Sequence, residues 1–239
     1  MIRLVVGLGN PGKEYERTRH NAGFWLLERF ASSQGLHFRK DPKYQALVVR
    51  MPGNGPWLLL PQSFMNASGR AVQMLAGFFK IKPEEILVAH DELDFRPGTA
   101  RLKQGGGIAG HNGLKDISQR IGSHDYWRLR IGVGRPDSAG EMADYVLHKP
   151  SAEERDAIDA VIVKALEVMP QILSGDMQGA MGKLHTDEKK LEAKKAAAPA
   201  VEKKAPAPEK TAPAQERKPV EPEVKKEERG FLKSLFGKK

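Results

Sequence analysis

Ile2-Arg3-Leu4-Val5-Val6-Gly7-Leu8-Gly9-Asn10-Pro11-Gly12 decides how the rest of the chain is read. Residues 2–6 form a mostly apolar run of strand length, and a Gly/Pro turn follows at once. A strand that ends in such a turn delivers backbone and side chains to its C-terminal edge, where open α/β sheets bind ligands. The polar segment 13–21 comes next and closes on Arg19-His20-Asn21, ahead of an apolar-periodic helix. His20 is the only histidine in residues 1–36, and its position suits a general base better than a packing role.

Outward from this stretch, strand and helix patterns alternate. Asn21 can cap a helix over 22–34, with Phe24, Leu26, Leu27 and Phe30 as its apolar stripe. Residues 45–51 and 57–60 read as paired strands across a Pro/Gly turn, and 61–66 as a loop. A helix over 69–80 directs Val72, Leu75, Phe78 and Phe79 inward. Residues 86–89 form a short strand running into His90-Asp91-Glu92-Leu93-Asp94. An alternating run over 99–103 leads to the glycine-rich loop 105–113 and a helix over 114–121. Residues 127–133 alternate again, with Arg128 and Arg130 on one face, and Ser151 with Glu154 makes a capping box for a long helix ending near Leu173. The pattern predicts an α/β fold: a single domain with a mixed, mostly parallel twisted sheet flanked by helices, plus a disordered C-terminal tail.

The tail is a matter of composition. Over 187–229 Lys, Glu, Ala and Pro dominate and aromatics are absent, so little apolar surface is available to offset ordering entropy. Over 230–239, Phe231, Leu232, Leu235 and Phe236 would share one helical face beside lysines, a pattern that can touch a membrane or a partner; a frayed end is the plainer reading. The expected organisation is therefore a catalytic domain over 1–186, a linker over 187–229 and a short amphipathic basic terminus over 230–239. Of the net charge of +9, the stretch after His185 supplies more than half, with 15 Lys+Arg against 10 Asp+Glu. Any nucleic-acid face on the body must come from local clustering. The 239 residues include no cysteine, which excludes disulfides, thiol nucleophiles and Cys-based zinc sites. Without a signal-peptide pattern or a spanning apolar run, a soluble cytoplasmic protein is the expectation.

Several chemistries compete for the polar residues. Gly7 to Gly12 matches GxGxxG, but Pro11 lies inside it and the segment after it is polar, which argues against dinucleotide binding. Asn10, Asn66 and Asn112 lie in loops at element edges, as does Asn21. Asn21, Asn66 and Asn112 could each be only an N-cap; together with His20, such amides could hold a water and a carbonyl oxygen without adding charge. Asp91 follows a strand and could orient His20 and stabilise its imidazolium. A metal held by His20, His90, Asp91, Asp94 and His111 is an alternative without a supporting HxH or HExxH spacing. Ser63 and Ser68 lack a nucleophile-elbow context. Arg101, Lys103, Lys115, Arg128 and Arg130 are candidate phosphate contacts or simply a solvated sheet face.

Six blocks taken together are specific. Val6 to Gly12 with Tyr15, Thr18 to Gly23, Pro61 with Phe64-Met65-Asn66-Ala67-Ser68-Gly69, Val88 to Asp94, Gly105 to Asp116, and Arg128 to Gly134 resemble the bacterial peptidyl-tRNA hydrolases, in order and spacing, from Met1 to about His185. The resemblance implies a monomeric, cofactor-free and metal-independent esterase that releases peptide from tRNA. His20 matches its general base, Asp91 the supporting carboxylate, and Asn10 a residue that distinguishes a blocked amino group. Asn66 and Asn112 match residues holding the substrate backbone and the attacking water. Tyr15 and Phe64 match the lining of the site, Met65 and His111 its neighbours, and Lys103 with Arg130 a basic pair gripping the tRNA 5′ phosphate. The tail has no counterpart in that family; ribosomes, RNA or membrane are candidate tethering partners for it. A non-catalytic RNA-binding module that kept the fold is the competing reading.

Overall fold

The computed structural model describes residues 1–136 and 138–185. The segments expected to be linker and amphipathic terminus, 187–229 and 230–239, lie outside the described residues. The described chain folds around a seven-stranded sheet in the order β2-β3-β4-β1-β5-β7-β6. Its strands are β1 (Leu4–Gly7), β2 (Arg39–Asp41), β3 (Ala46–Arg50), β4 (Trp57–Pro61), β5 (Ile86–Glu92), β6 (Ala100–Gln104) and β7 (Trp127–Gly132). The centre, β4-β1-β5-β7, is parallel; β2 and β3 on one side and β6 on the other are antiparallel. The sheet is mixed, with parallel pairing confined to its middle.

Helices cover both faces, which is why the central strands read as continuous apolar runs. Because successive side chains point to opposite faces, Val5 joins one core with α1 (Ala22–Ser33), α5 (Ala152–Ser174) and α6 (177–185). Leu4 and Val6 join the other, with α2 (Gly69–Phe79) and α3 (Asn112–Ile121). The short α4 (Met142–Val146) lies between β7 and α5 in sequence. Among the described residues, no helix is long and apolar enough to cross a membrane.

Most elements match the periodicity within a residue or two, and the Ser151–Glu154 capping box is formed. Four differences have physical causes. Edge strand β2, Arg-Lys-Asp, carries no apolar residue, so pattern could not reveal it; such charges blunt an edge against further pairing. β5 continues through His90, Asp91 and Glu92, because its pairing with β7 runs on past the end of β1 and the fold buries all three side chains. Phe78, expected inward, is 60 % exposed at the last turn of α2. Asn21 does not cap α1 with its side chain, which is committed elsewhere.

Candidate active site

The turn after β1 is tied to the histidine turn by a reciprocal amide pair. Asn21 Oδ1 accepts from Asn10 N at 2.9 Å, and Asn21 Nδ2 donates to the Asn10 carbonyl at 2.9 Å. Asn10 Oδ1 in turn accepts from Met65 N at 2.7 Å, fastening a third loop. The backbone continues this knot: Leu8 N donates to Ala89 O, and Phe24 N to Leu8 O. Gly23 permits it, since a Cβ there would strike Leu8 N and Ala89 O. The edge of β1, the start of α1 and the end of β5 are thus held against one another, with His20 on the 3-10 turn Arg19–Asn21.

His20 Nδ1 lies 2.9 and 3.0 Å from the two carboxylate oxygens of Asp91. His111 Nε2 approaches Asp91 Oδ1 from another direction at 3.0 Å. Asp91 is 3 % exposed, so both contacts form away from bulk water. Burial alone would raise its pKa; the facing His20 and His111 outweigh that and hold Asp91 well below the usual carboxylate range. For His20, burial pulls the pKa down, but the charge and hydrogen bond of Asp91 prevail and raise it above the ordinary histidine value. His90 is buried among the same groups without a carboxylate partner; burial and the neighbouring His111 push its pKa well below normal, so it is neutral. Its Nδ1–H donates to the Asp91 carbonyl at 2.7 Å.

His111 does two jobs. Its Nδ1 accepts from Gly113 N and Leu114 N at the start of α3, so this histidine, not Asn112, is the helix cap. With Nδ1 as acceptor, the ring proton of neutral His111 sits on Nε2, facing Asp91. This bears on metal binding. Ligand atoms of His20, Asp91 and His111 lie within 4.8 Å of one another, a donor set that could hold a divalent ion. An ion would need the Nε2 lone pair, which the cap turns into an N–H. The arrangement suits a shared proton network better than a cation.

His20, Asp91, His111 and Asn112 line one cavity of about 300 Å³, which the apolar trio Met142, Ala143 and Val146 also lines. Asn10, Tyr15, Phe64, Met65 and Asn66 are not among its lining residues. Met65 is buried behind Asn10, and Tyr15 and Phe64 meet edge to face with centroids 6.2 Å apart. Asn66 is exposed in the 3-10 turn Met65–Ala67 and its side chain caps no helix. Lys103 and Arg130 are not in the cavity; they share a face of β6 and β7 with Arg101 and Arg128, through the pairs Arg101–Arg130 and Lys103–Arg128. Arg130 Nε donates to Glu92 at 2.8 Å, and its guanidinium stacks 4.2 Å from the centre of the Phe95 ring. Arg128 is buried and donates to the carbonyls of Gly105 and Gly107, so it braces the glycine loop instead of facing phosphate. Glu92, which lines the cavity, had no role assigned from the sequence; its signal was its place in the polar run His90-Asp91-Glu92 that ends β5.

The family model for peptidyl-tRNA hydrolase matches residues 4–194. The peptidyl-tRNA hydrolase of Leptothrix cholodnii is 52 % identical over 187 residues, covering 77 % of this chain and 88 % of that one. That of Neisseria gonorrhoeae is 52 % identical over 187 residues, covering 77 % and 97 %. The crystal structure of peptidyl-tRNA hydrolase from Acinetobacter baumannii superposes with a TM-score of 0.74 at 44 % identity, over 77 % of this chain and 94 % of that one. With the family model spanning most of its length and relatives above half identity, this chain belongs to the peptidyl-tRNA hydrolase family.

Proposed function

We propose that this chain hydrolyses the ester joining a peptide to the 3′ ribose of tRNA, with His20 as the general base and tRNA as the substrate partner. The observation that carries the mechanism is the buried contact of His20 Nδ1 with Asp91. With the Nδ1 proton donated to Asp91, the lone pair of neutral His20 is on Nε2 and can take a proton from water. The oxygen of that water attacks the ester carbonyl while Asp91 stabilises the imidazolium. Amide donors of Asn10, Asn66 and Asn112 are the candidates for holding the water, the substrate backbone and the developing oxyanion. Collapse of the tetrahedral intermediate breaks the carbon–oxygen bond, and the imidazolium returns its proton to the departing ribose oxygen. Peptide acid and intact tRNA result, and the base is neutral again. An acyl ester is reactive enough for a positioned base and oxyanion donors to suffice.

Around this centre, Tyr15, Phe64, Met65 and His111 complete the substrate site, and Lys103 with Arg130 meets tRNA phosphate. Phosphate and backbone contacts suit an enzyme that accepts many tRNAs and peptides. The working unit is a monomer over 1–186 in the cytoplasm, recycling tRNA from peptidyl-tRNA shed by ribosomes; the tail after Thr186 carries none of the residues named here and is dispensable for chemistry.

Release of N-blocked aminoacyl groups from tRNA in EDTA tests this, with wild type, His20→Ala and a chain truncated after Thr186 compared. Wild type and the truncated chain should release at similar rates, and His20→Ala should be slower by about a thousandfold. Equal rates in wild type and His20→Ala would move the base elsewhere. An inert wild type would favour a binding module.

A further inference from the structure

Arg19 directly precedes the base, yet it points its chemistry away from it. We propose that Arg19 is a positioning residue for hydrolysis: it sets the spacing between the His20 turn and the apolar wall of the cavity, and so controls substrate affinity. This rests on the reading of His20 as the base and of the cavity as the substrate site.

Arg19 is 6 % exposed. Its backbone N donates to His148 O at 3.1 Å. Its Nη1 donates to the carbonyls of Tyr145, His148 and Lys149 at 3.3, 3.2 and 3.0 Å. Nη2 donates to Glu154 Oε2 at 2.7 Å, and the guanidinium carbon lies 4.0 Å from the centre of the Tyr145 ring. The ring passes the restraint on, because Tyr145 Oη donates to Val133 O at 3.0 Å. Glu154 Oε2 also accepts from Ser151 N at 2.7 Å, within the capping box of α5. One buried cation therefore gathers the C-terminal end of α4, the start of α5 and the chain just beyond β7.

The residue type fits the task. The last carbonyls of a helix lack intrahelical partners and carry the negative end of its dipole. A guanidinium presents five donors in a fixed fork and can serve several such carbonyls and a carboxylate together; an ammonium has three donors around one point. The five-residue α4 is too short to hold its place by helix formation alone. Yet it supplies Met142, Ala143 and Val146 as an apolar wall to the cavity that His20 also lines. His20 and Asp91 keep their own contact and do not need Arg19 for it. Loosening the wall weakens contacts made alike in ground and transition state, which raises KM and spares kcat.

Steady-state hydrolysis of N-blocked aminoacyl-tRNA by the full chain tests this with Arg19→Lys, Arg19→Met and Tyr145→Phe, each checked by thermal melting. Arg19→Lys should raise KM about tenfold, keep kcat within about threefold and leave the pH midpoint of kcat/KM in place. Arg19→Met should raise KM further. Tyr145→Phe keeps the stacked ring but loses the Val133 anchor, and should raise KM by about two- to threefold. An unchanged KM in Arg19→Lys would overturn the proposal, whether kcat holds or falls in step with the folded fraction. A displaced pH midpoint would overturn it too, by placing Arg19 on the base itself. If Arg19→Met does not fold, the other two variants decide. A wild-type rate in His20→Ala would sink the reading of the base while leaving the KM result for Arg19 standing.

Discussion

The His20–Asp91–His111 centre and the basic face of β6 and β7 are both built from charged side chains, but solvent treats them oppositely. Asp91 is buried, with histidines directed at it from two sides, and its ionisation depends on them. Arg101 and Lys103 stand exposed on the edge strand β6, where water and salt screen them. Arg130 stands between the two regimes, facing the basic side yet bonded to Glu92, which lines the cavity. Buried charges that water cannot replace are suited to setting a rate, whereas exposed charges gather a polyanion and give affinity.

The contrast breaks most easily at Asp91. Asp91→Asn should lower kcat by about a hundredfold. It should also move the acid limb of the pH profile. His20 works as a base when neutral, so the rate rises with pH through its pKa, which Asp91 holds above the ordinary value. Without the carboxylate charge, burial dominates and the midpoint moves to lower pH. A midpoint that stayed in place or rose would mean that Asp91 does not tune His20.

His111→Asn sharpens the same point. Asparagine is a good N-cap, so α3 should keep its start and thermal stability should stay near wild type. The donor to Asp91 is lost, and the rate should fall by about tenfold. Stability and rate falling together would instead make His111 mainly a cap.

On the basic face the expected effect is smaller and of another kind. Lys103→Ala should raise KM several-fold at low salt, leave kcat alone and reduce the slope of log affinity against log salt by about one. A fall in kcat at saturating substrate would tie the two regions more closely than their geometry suggests.

Local sequence was sufficient for the α/β alternation, the bounds of most elements, the Ser151 capping box and the blocks that carry the family likeness. These depend on periodicity and turn chemistry, which neighbouring residues settle among themselves. It was insufficient where a side chain's partner is distant in the chain. Asn21 looked like a cap and became half of an amide clasp with Asn10. Asn112 could have been the cap of a helix starting at 114; it is instead the first residue of α3, and the cap is His111. Arg128 looked like a phosphate contact and turned out to brace the glycine loop from inside. Arg19 suggested nothing until segment 145–154 lay beside it. Polar side chains can satisfy themselves with water, a cap or a distant carbonyl at similar free energy, so only the folded neighbourhood, by excluding water, chooses among them.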